Sequence, residues 1–167
     1  IAELKNIKTL WEPSGKSTIN GFQSSKLFQN PTKNLKDLEM IITNEIRSYK
    51  SKFRNENCSF IKKWPKSEKL SCWHVILKQQ GYQGPHIHPG GWLSGVFYLK
   101  VTPDLGKNEG AIEFSLNGQY YRDINSAKLT YQPSIGDIVL FPSSLHHRTI
   151  PFKTNMDRIS IAFDLIP

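Results

Sequence analysis

From Ser71 to Ile166 the chain is a succession of short β-prone runs cut by Gly, Pro and Asn, and this pattern restricts the fold more than any other feature. The runs are Ser71–Gln80, Trp92–Val101, Ala111–Leu116, Leu129–Gln132, Asp137–Phe141, His147–Pro151 and Arg158–Ile166. Turn signals separate them: GYQGP, HPGG, TPDLGKNEG, SLNGQ, QPSIGD and KTNMD. Upstream lies one segment of a different period. Leu35, Leu38, Ile41, Ile42, Ile46, Tyr49 and Phe53 recur at steps of three and four, with Lys36, Asp37, Glu39, Asn44, Arg47 and Lys50 filling the opposite side. The spacing predicts an amphipathic helix over 34–54, with Asn34 as its N-cap and Asp37 in its first turn. A helix with one apolar stripe must bury it, and the strands that follow supply a sheet. The expected class is α+β, mainly β, with a sandwich or barrel as its main body.

The 167 residues suit a single domain (1–167), large enough to bury about two thirds of its unfolded surface. Within it, residues 1–58 read as N-terminal support carrying the helix, and 59–167 as the β-barrel core. Residues 1–33 read as irregular or edge structure, with turn formers in EPSGKST and QNPTK around a short apolar piece at Gly21-Phe22. Gly15-Lys16-Ser17 is not a phosphate loop, because position 10 is Leu rather than the required glycine. No apolar run approaches the roughly 20 residues of a membrane-spanning helix, and IAELKNIKTLW lacks the pattern of a secretion signal. Cys58 and Cys72 are too few for a disulfide scaffold and read as free thiols of a reducing, cytoplasmic compartment. The net charge of +8 describes a solvated basic face that can steer anions. With no aromatic-interleaved RNA motif or zinc-finger spacing, neither nucleic acid nor a membrane is an expected partner.

Four of the five histidines fall in two short windows. PHIHPGG carries His86 and His88, which share one parity of an extended segment and can point to one face. Residues 136–152 carry His146 and His147, which point to opposite faces of a strand, so at most one of them joins a common site. Two imidazoles from one segment and one from a distant segment are a ligand set for a metal ion. His74, inside CWHVIL, reads instead as a packed strand residue.

The order of features from Pro85 to Leu165 resembles the Fe(II)- and 2-oxoglutarate-dependent oxygenases, and among them the group in which a His-x-His-Pro turn leads into a Ser-Gly-Val-aromatic-Tyr strand. The matching pieces, in order, are HIHP, SGVFYL, GDIVLFPSSLHH with Pro151 after it, and RISIAFDL. The resemblance covers about half the chain. It implies a double-stranded β-helix, a jelly-roll or cupin-like barrel, with the helix as N-terminal support. It implies Fe(II), 2-oxoglutarate and O2 as cofactor and cosubstrates, and hydroxylation of a substrate with release of succinate and CO2. By the same resemblance His86 is the first iron ligand and His147 the distal one, standing shortly before a proline. Arg158 pairs with the far carboxylate of 2-oxoglutarate, a task suited to a planar guanidinium, and Tyr98 and Ser160 assist it.

One position departs from the pattern. The usual non-haem site is two histidines and a carboxylate, yet the acid position two after His86 is His88. Three arrangements follow: a three-imidazole site of His86, His88 and His147; a carboxylate brought from elsewhere, with Glu113 as candidate; or Gly90 in the acid slot with a vacant position, which would suit halogenation. A non-catalytic cupin-like binding or sensing module is the alternative from another class, since GDIVLFP suits cupins as well. Trp73, Trp92 and the loop from Thr102 to Gly110 are candidates to line an entrance. The substrate is not legible.

Overall fold

The computed structural model describes residues 1–103, 105–118, 120–123 and 125–167. Among the described residues nine strands form two antiparallel sheets. The larger has the order β1 (Leu10–Trp11), β2 (Thr18–Gln23), β3 (Leu70–Gln83), β9 (Arg158–Leu165), β4 (Leu93–Lys100) and β7 (Ile138–Pro142). The smaller has the order β6 (Leu129–Tyr131), β5 (Ile112–Phe114) and β8 (His147–Thr149). His86 pairs with His147 in an isolated antiparallel bridge, so the segment between β3 and β4 lies against the edge of the smaller sheet. From β3 onward the chain passes repeatedly from one sheet to the other, the winding of a double-stranded β-helix. All seven expected runs are strands, each within a few residues of its expected ends. Position 104 in the TPDLGKNEG turn and position 119 in SLNGQ lie outside the described residues.

Both faces of β9 are covered, and all eight of its residues are buried. Ile159, Ile161, Phe163 and Leu165 join the apolar layer that includes Leu35, Ile42 and Ile46 of helix α1 (Lys33–Lys52). The alternate residues, Arg158, Ser160, Ala162 and Asp164, face the barrel interior opposite Tyr98, Val96 and Ser94 of β4. Gly95 makes this packing possible. A side-chain carbon there would lie 2.2 Å from the Phe163 ring, its cross-strand partner.

Three expectations are corrected. The helix N-cap is Thr32, in extended conformation, whose hydroxyl accepts from Leu35 N at 3.4 Å. Asn34 is already helical and donates to Glu3, and Asp37 falls beyond the first turn. The apolar stripe locates the first buried residue, not the first turn, which is why it misplaces the cap. Ile41 is 52% exposed, because it lies about 100° round the helix from buried Ile42. The β pattern does not begin at Ser59, since Ser59–Lys62 forms a short helix, α2. Residues 1–33, expected as irregular or edge structure, supply β1 and β2 at one edge of the larger sheet, and β2 pairs with β3 through Gly21, where a side-chain carbon would meet Ile76 O at 2.8 Å. Both cysteines are free thiols. Among the described residues no helix is long and apolar enough to cross a membrane.

Candidate metal centre and cosubstrate site

His86 and His147 stand directly opposite each other and exchange both backbone hydrogen bonds at 3.0 Å. Directly opposed residues project to one face, and the two rings lie 4.3 Å apart, centroid to centroid. His88, two residues on, projects the same way. Its backbone N–H donates to Ser143 O at 2.9 Å, and Gly91 N–H closes the turn onto His88 O at 3.0 Å. One ligand atom of each of the three histidines lies within 4.8 Å of the others.

The outward nitrogens are all engaged by acceptors. His86 Nδ1 meets Gly84 O at 2.7 Å, His147 Nδ1 meets Leu145 O at 3.0 Å, and His88 Nδ1 meets Asp164 Oδ1 at 2.6 Å. A carbonyl or carboxylate oxygen can only accept, so each Nδ1 carries a proton, and the neutral form of each ring presents its lone pair at Nε2. The Nε2 atoms of His86 and His88 face each other at 3.2 Å. A contact of that length is held either by a proton between the two rings or by a metal cation that takes both lone pairs. Burial pushes the His86 pKa down to about 4, and burial together with His86 pushes His147 down to about 3. Both rings are therefore neutral at pH 7, the form that binds metal. The donor set fits a divalent transition metal.

The other candidates fall elsewhere. His146, its ring against Gly118 and its backbone bonded to Ser115, is turned away from the cluster. Glu113 pairs across the sheet with Arg148, whose Nε and Nη2 donate to its carboxylate at 2.7 and 3.1 Å. It is the neighbouring Phe114 that sits opposite His147, so the pleat sends Glu113 to the wrong face for the metal. Gly90 lies exposed in the turn, while His88 itself occupies the cluster. His74 is packed in the apolar layer, as expected of a strand residue.

Arg158 is only 2% exposed, and its guanidinium carbon lies 5.0 Å from the Tyr98 ring centroid. Its Nε donates to Gly110 O at 2.9 Å. No carboxylate pairs with it among the described residues, and burial lowers its pKa from the ordinary arginine value. The Tyr98 hydroxyl is buried close enough to sense this cation, yet it makes no hydrogen bond among the described residues. The Thr102 hydroxyl, also buried, is likewise unpartnered. Ser160 is buried opposite Tyr98 on the same interior face. A buried cation beside unpaired hydroxyls fits a small dicarboxylate, because a buried charge is costly unless paired.

A cavity of about 520 Å³ opens onto His86 and His88. Trp73 lines it, together with Lys16 and Lys26, so the Gly15-Lys16-Ser17 turn forms part of its rim. Trp92 does not line it: its ring stacks on Phe60 at 5.5 Å, and its indole N–H donates to Phe60 O at 3.2 Å. The described residues of the loop from Thr102 to Gly110 are also outside that lining. The sequence does not mark Asp164 and Ser94 as site residues. The signal for Asp164 was its parity, since it shares the inward side of β9 with Arg158 and Ser160.

Solved structures share this double-stranded β-helix architecture. A prolyl-4-hydroxylase from Pseudomonas putida is similar over 98% of this chain and 79% of its own, with TM-score 0.63 and 12% identity. A prolyl hydroxylase from Trichoplax adhaerens, in complex with a hypoxia inducible factor oxygen degradation domain peptide fragment, is similar over 99% and 73%, with TM-score 0.65 and 12% identity. HygX from Streptomyces hygroscopicus, with nickel and 2-oxoglutarate bound, is similar over 99% and 76%, with TM-score 0.61 and 10% identity. At such identities the likeness establishes the fold. No curated protein sequence matches the chain. The family described as "Putative 2OG-Fe(II) oxygenase" matches residues 71–164, more than half of the chain, and the chain belongs to it. The protein is thus a 2-oxoglutarate- and Fe(II)-dependent dioxygenase, with 2-oxoglutarate and O2 as cosubstrates.

Proposed function

We propose that His86, His88 and His147 are the iron ligands, each through Nε2, and that Arg158, with Tyr98 and Ser160, holds the C5 carboxylate of 2-oxoglutarate. The enzyme hydroxylates an organic substrate and releases succinate and CO2. The observation that carries this reading is the convergence of three Nε2 lone pairs whose Nδ1 protons are all held by acceptors. Bound Fe(II) supplies the oxygen activation that couples decarboxylation of the keto acid to oxidation of the substrate.

The protein's own residues supply orientation and exclusion. Gly84 O, Leu145 O and Asp164 fix the three ring orientations, so no ligand has to be ordered when the metal arrives. Arg158 fixes one end of the keto acid with a forked guanidinium already held by Gly110 O. Phe141, Phe114 and Trp73 wall the histidines with apolar surface that keeps bulk water away. The substrate approaches through the cavity over His86 and His88. Residues 1–167 act as one oxygenase domain.

The test is anaerobic addition of Fe(II) and 2-oxoglutarate to the metal-free protein. A weak visible charge-transfer band is expected, followed by succinate when air is admitted. A protein that gives neither refutes the reading.

A further inference from the structure

A facial triad of two histidines and a carboxylate brings one negative charge to its metal. The three imidazoles assigned above bring none. Directly behind one of them, however, stands a carboxylate: Asp164 Oδ1 lies 2.6 Å from His88 Nδ1, shorter than most charge-assisted N–H···O bonds. The Ser94 hydroxyl donates to the same oxygen at 2.6 Å and lies 2.8 Å from Ser143 Oγ. Ser94 has one proton and gives it to Asp164, so Ser143 must be the donor in the serine–serine contact. Two donors, His88 and Ser94, thus end on one carboxylate oxygen, and the second is itself polarised by Ser143.

The arrangement is enclosed. Ser94 and Ser143 are buried, and the side chains of His88 and Asp164 are each 10% exposed. Gly91 backs onto the unit: a side-chain carbon there would lie 2.6 Å from Ser143 Oγ and 3.1 Å from Asp164 Cβ. The space that Asp164 occupies therefore depends on glycine at 91. A carboxylate hydrogen-bonded to the outer nitrogen of a ligating histidine fixes its tautomer and makes it a stronger donor.

We propose that Asp164 is a positioning residue which, acting through His88, returns to the centre the negative charge that its three-imidazole ligand set lacks. This rests on the assignment of His86, His88 and His147 as ligands. The missing acid of the His-x-acid pair has, on this view, moved one layer outward and onto β9.

Co(II) titration of the metal-free protein, followed by visible absorption and calorimetry, tests the proposal. Asp164→Asn keeps an oxygen acceptor and removes the charge. It is expected to weaken Co(II) binding by roughly 10- to 100-fold while the metal-free protein keeps its fold by circular dichroism. In a His88→Ala background the same substitution is expected to change affinity by less than about threefold, because the effect runs through His88. Wild-type affinity in Asp164→Asn overturns the proposal, as does an undiminished loss in the His88→Ala background, which would mean that Asp164 acts on the metal without His88. Gly91→Ala, which keeps the carboxylate but crowds it, decides the matter if Asp164→Asn does not fold. A tenfold or greater loss of Co(II) affinity supports the proposal, and an unchanged affinity overturns it. Failure of the ligand assignment looks different: His86→Ala and His147→Ala would then bind Co(II) as tightly as wild type, whatever the Asp164 variants do.

Discussion

Burial of His74 is expected to make the protein acid-sensitive, and one substitution isolates its contribution. The side chain is 0% exposed, held between Cys72 and Ile76 on the face of β3 that meets α1, opposite Ile161. Neither ring nitrogen has a hydrogen-bond partner among the described residues, although the backbone is well tied: its N–H donates to Ser24 Oγ at 2.9 Å. Burial in this apolar layer disfavours the imidazolium and pushes the pKa from 6.5 to about 4. The native state thus resists a proton that the unfolded chain accepts. Stability is full above pH 6.5, falls as the pH drops toward 4, and levels off below that. Between pH 6.5 and pH 5 the fall spans 1.5 pH units at about 1.36 kcal/mol each, or about 2 kcal/mol from this one residue. Urea denaturation with chelator present, at pH 8, 6.5 and 5, measures it. His86 and His147 also lose stability on acidification, but equally in wild type and variant. His74→Leu should therefore be about 2 kcal/mol less sensitive to the step from pH 8 to pH 5. At pH 8 it should match or exceed wild type, because two unpaired ring nitrogens are removed. Equal pH sensitivity in the two proteins would refute the account of His74 as a neutral, desolvated core residue.

Arg158→Leu should weaken 2-oxoglutarate binding roughly 100-fold, the loss of two charge-assisted hydrogen bonds at about 1.5 kcal/mol each, as measured by calorimetry on the Co(II)-loaded protein. Co(II) affinity itself should be unchanged, which separates this site from the histidines. His146→Ala and Glu113→Gln should both retain wild-type Co(II) affinity, and the second should lower the urea-derived stability by about 1–3 kcal/mol, because the buried carboxylate loses its charged bonds to Arg148. Gly95→Ala should cost at least about 1–3 kcal/mol in the same assay, because the new methyl meets the Phe163 ring.

Periodicity made most of the fold legible. Short runs between turn residues located all seven strands after Ser71, and steps of three and four located α1, because these patterns follow from local backbone geometry. What rests on partners distant in sequence was not legible. Strand β2 carries the turn formers Asn20 and Gly21 at its centre and so does not announce itself, and it forms because Gly21 lets it lie close against Ile76 of β3. The helix cap is likewise set by where the chain leaves its extended path at Thr32, not by the apolar stripe.

The candidate site divides along the same line. That His86 and His88 share a face follows from their spacing alone, and so does the absence of an acid at position 88. The choice of His147 over His146 could not follow from spacing. It depends on which residue of β8 lies opposite His86, a register set by the packing of two sheets. Glu113 was excluded only when the pleat turned it toward Arg148. Asp164 is 76 residues from His88 along the chain and 2.6 Å from it in space. Local spacing prescribes which way a side chain points, whereas only the closed barrel determines what it meets there.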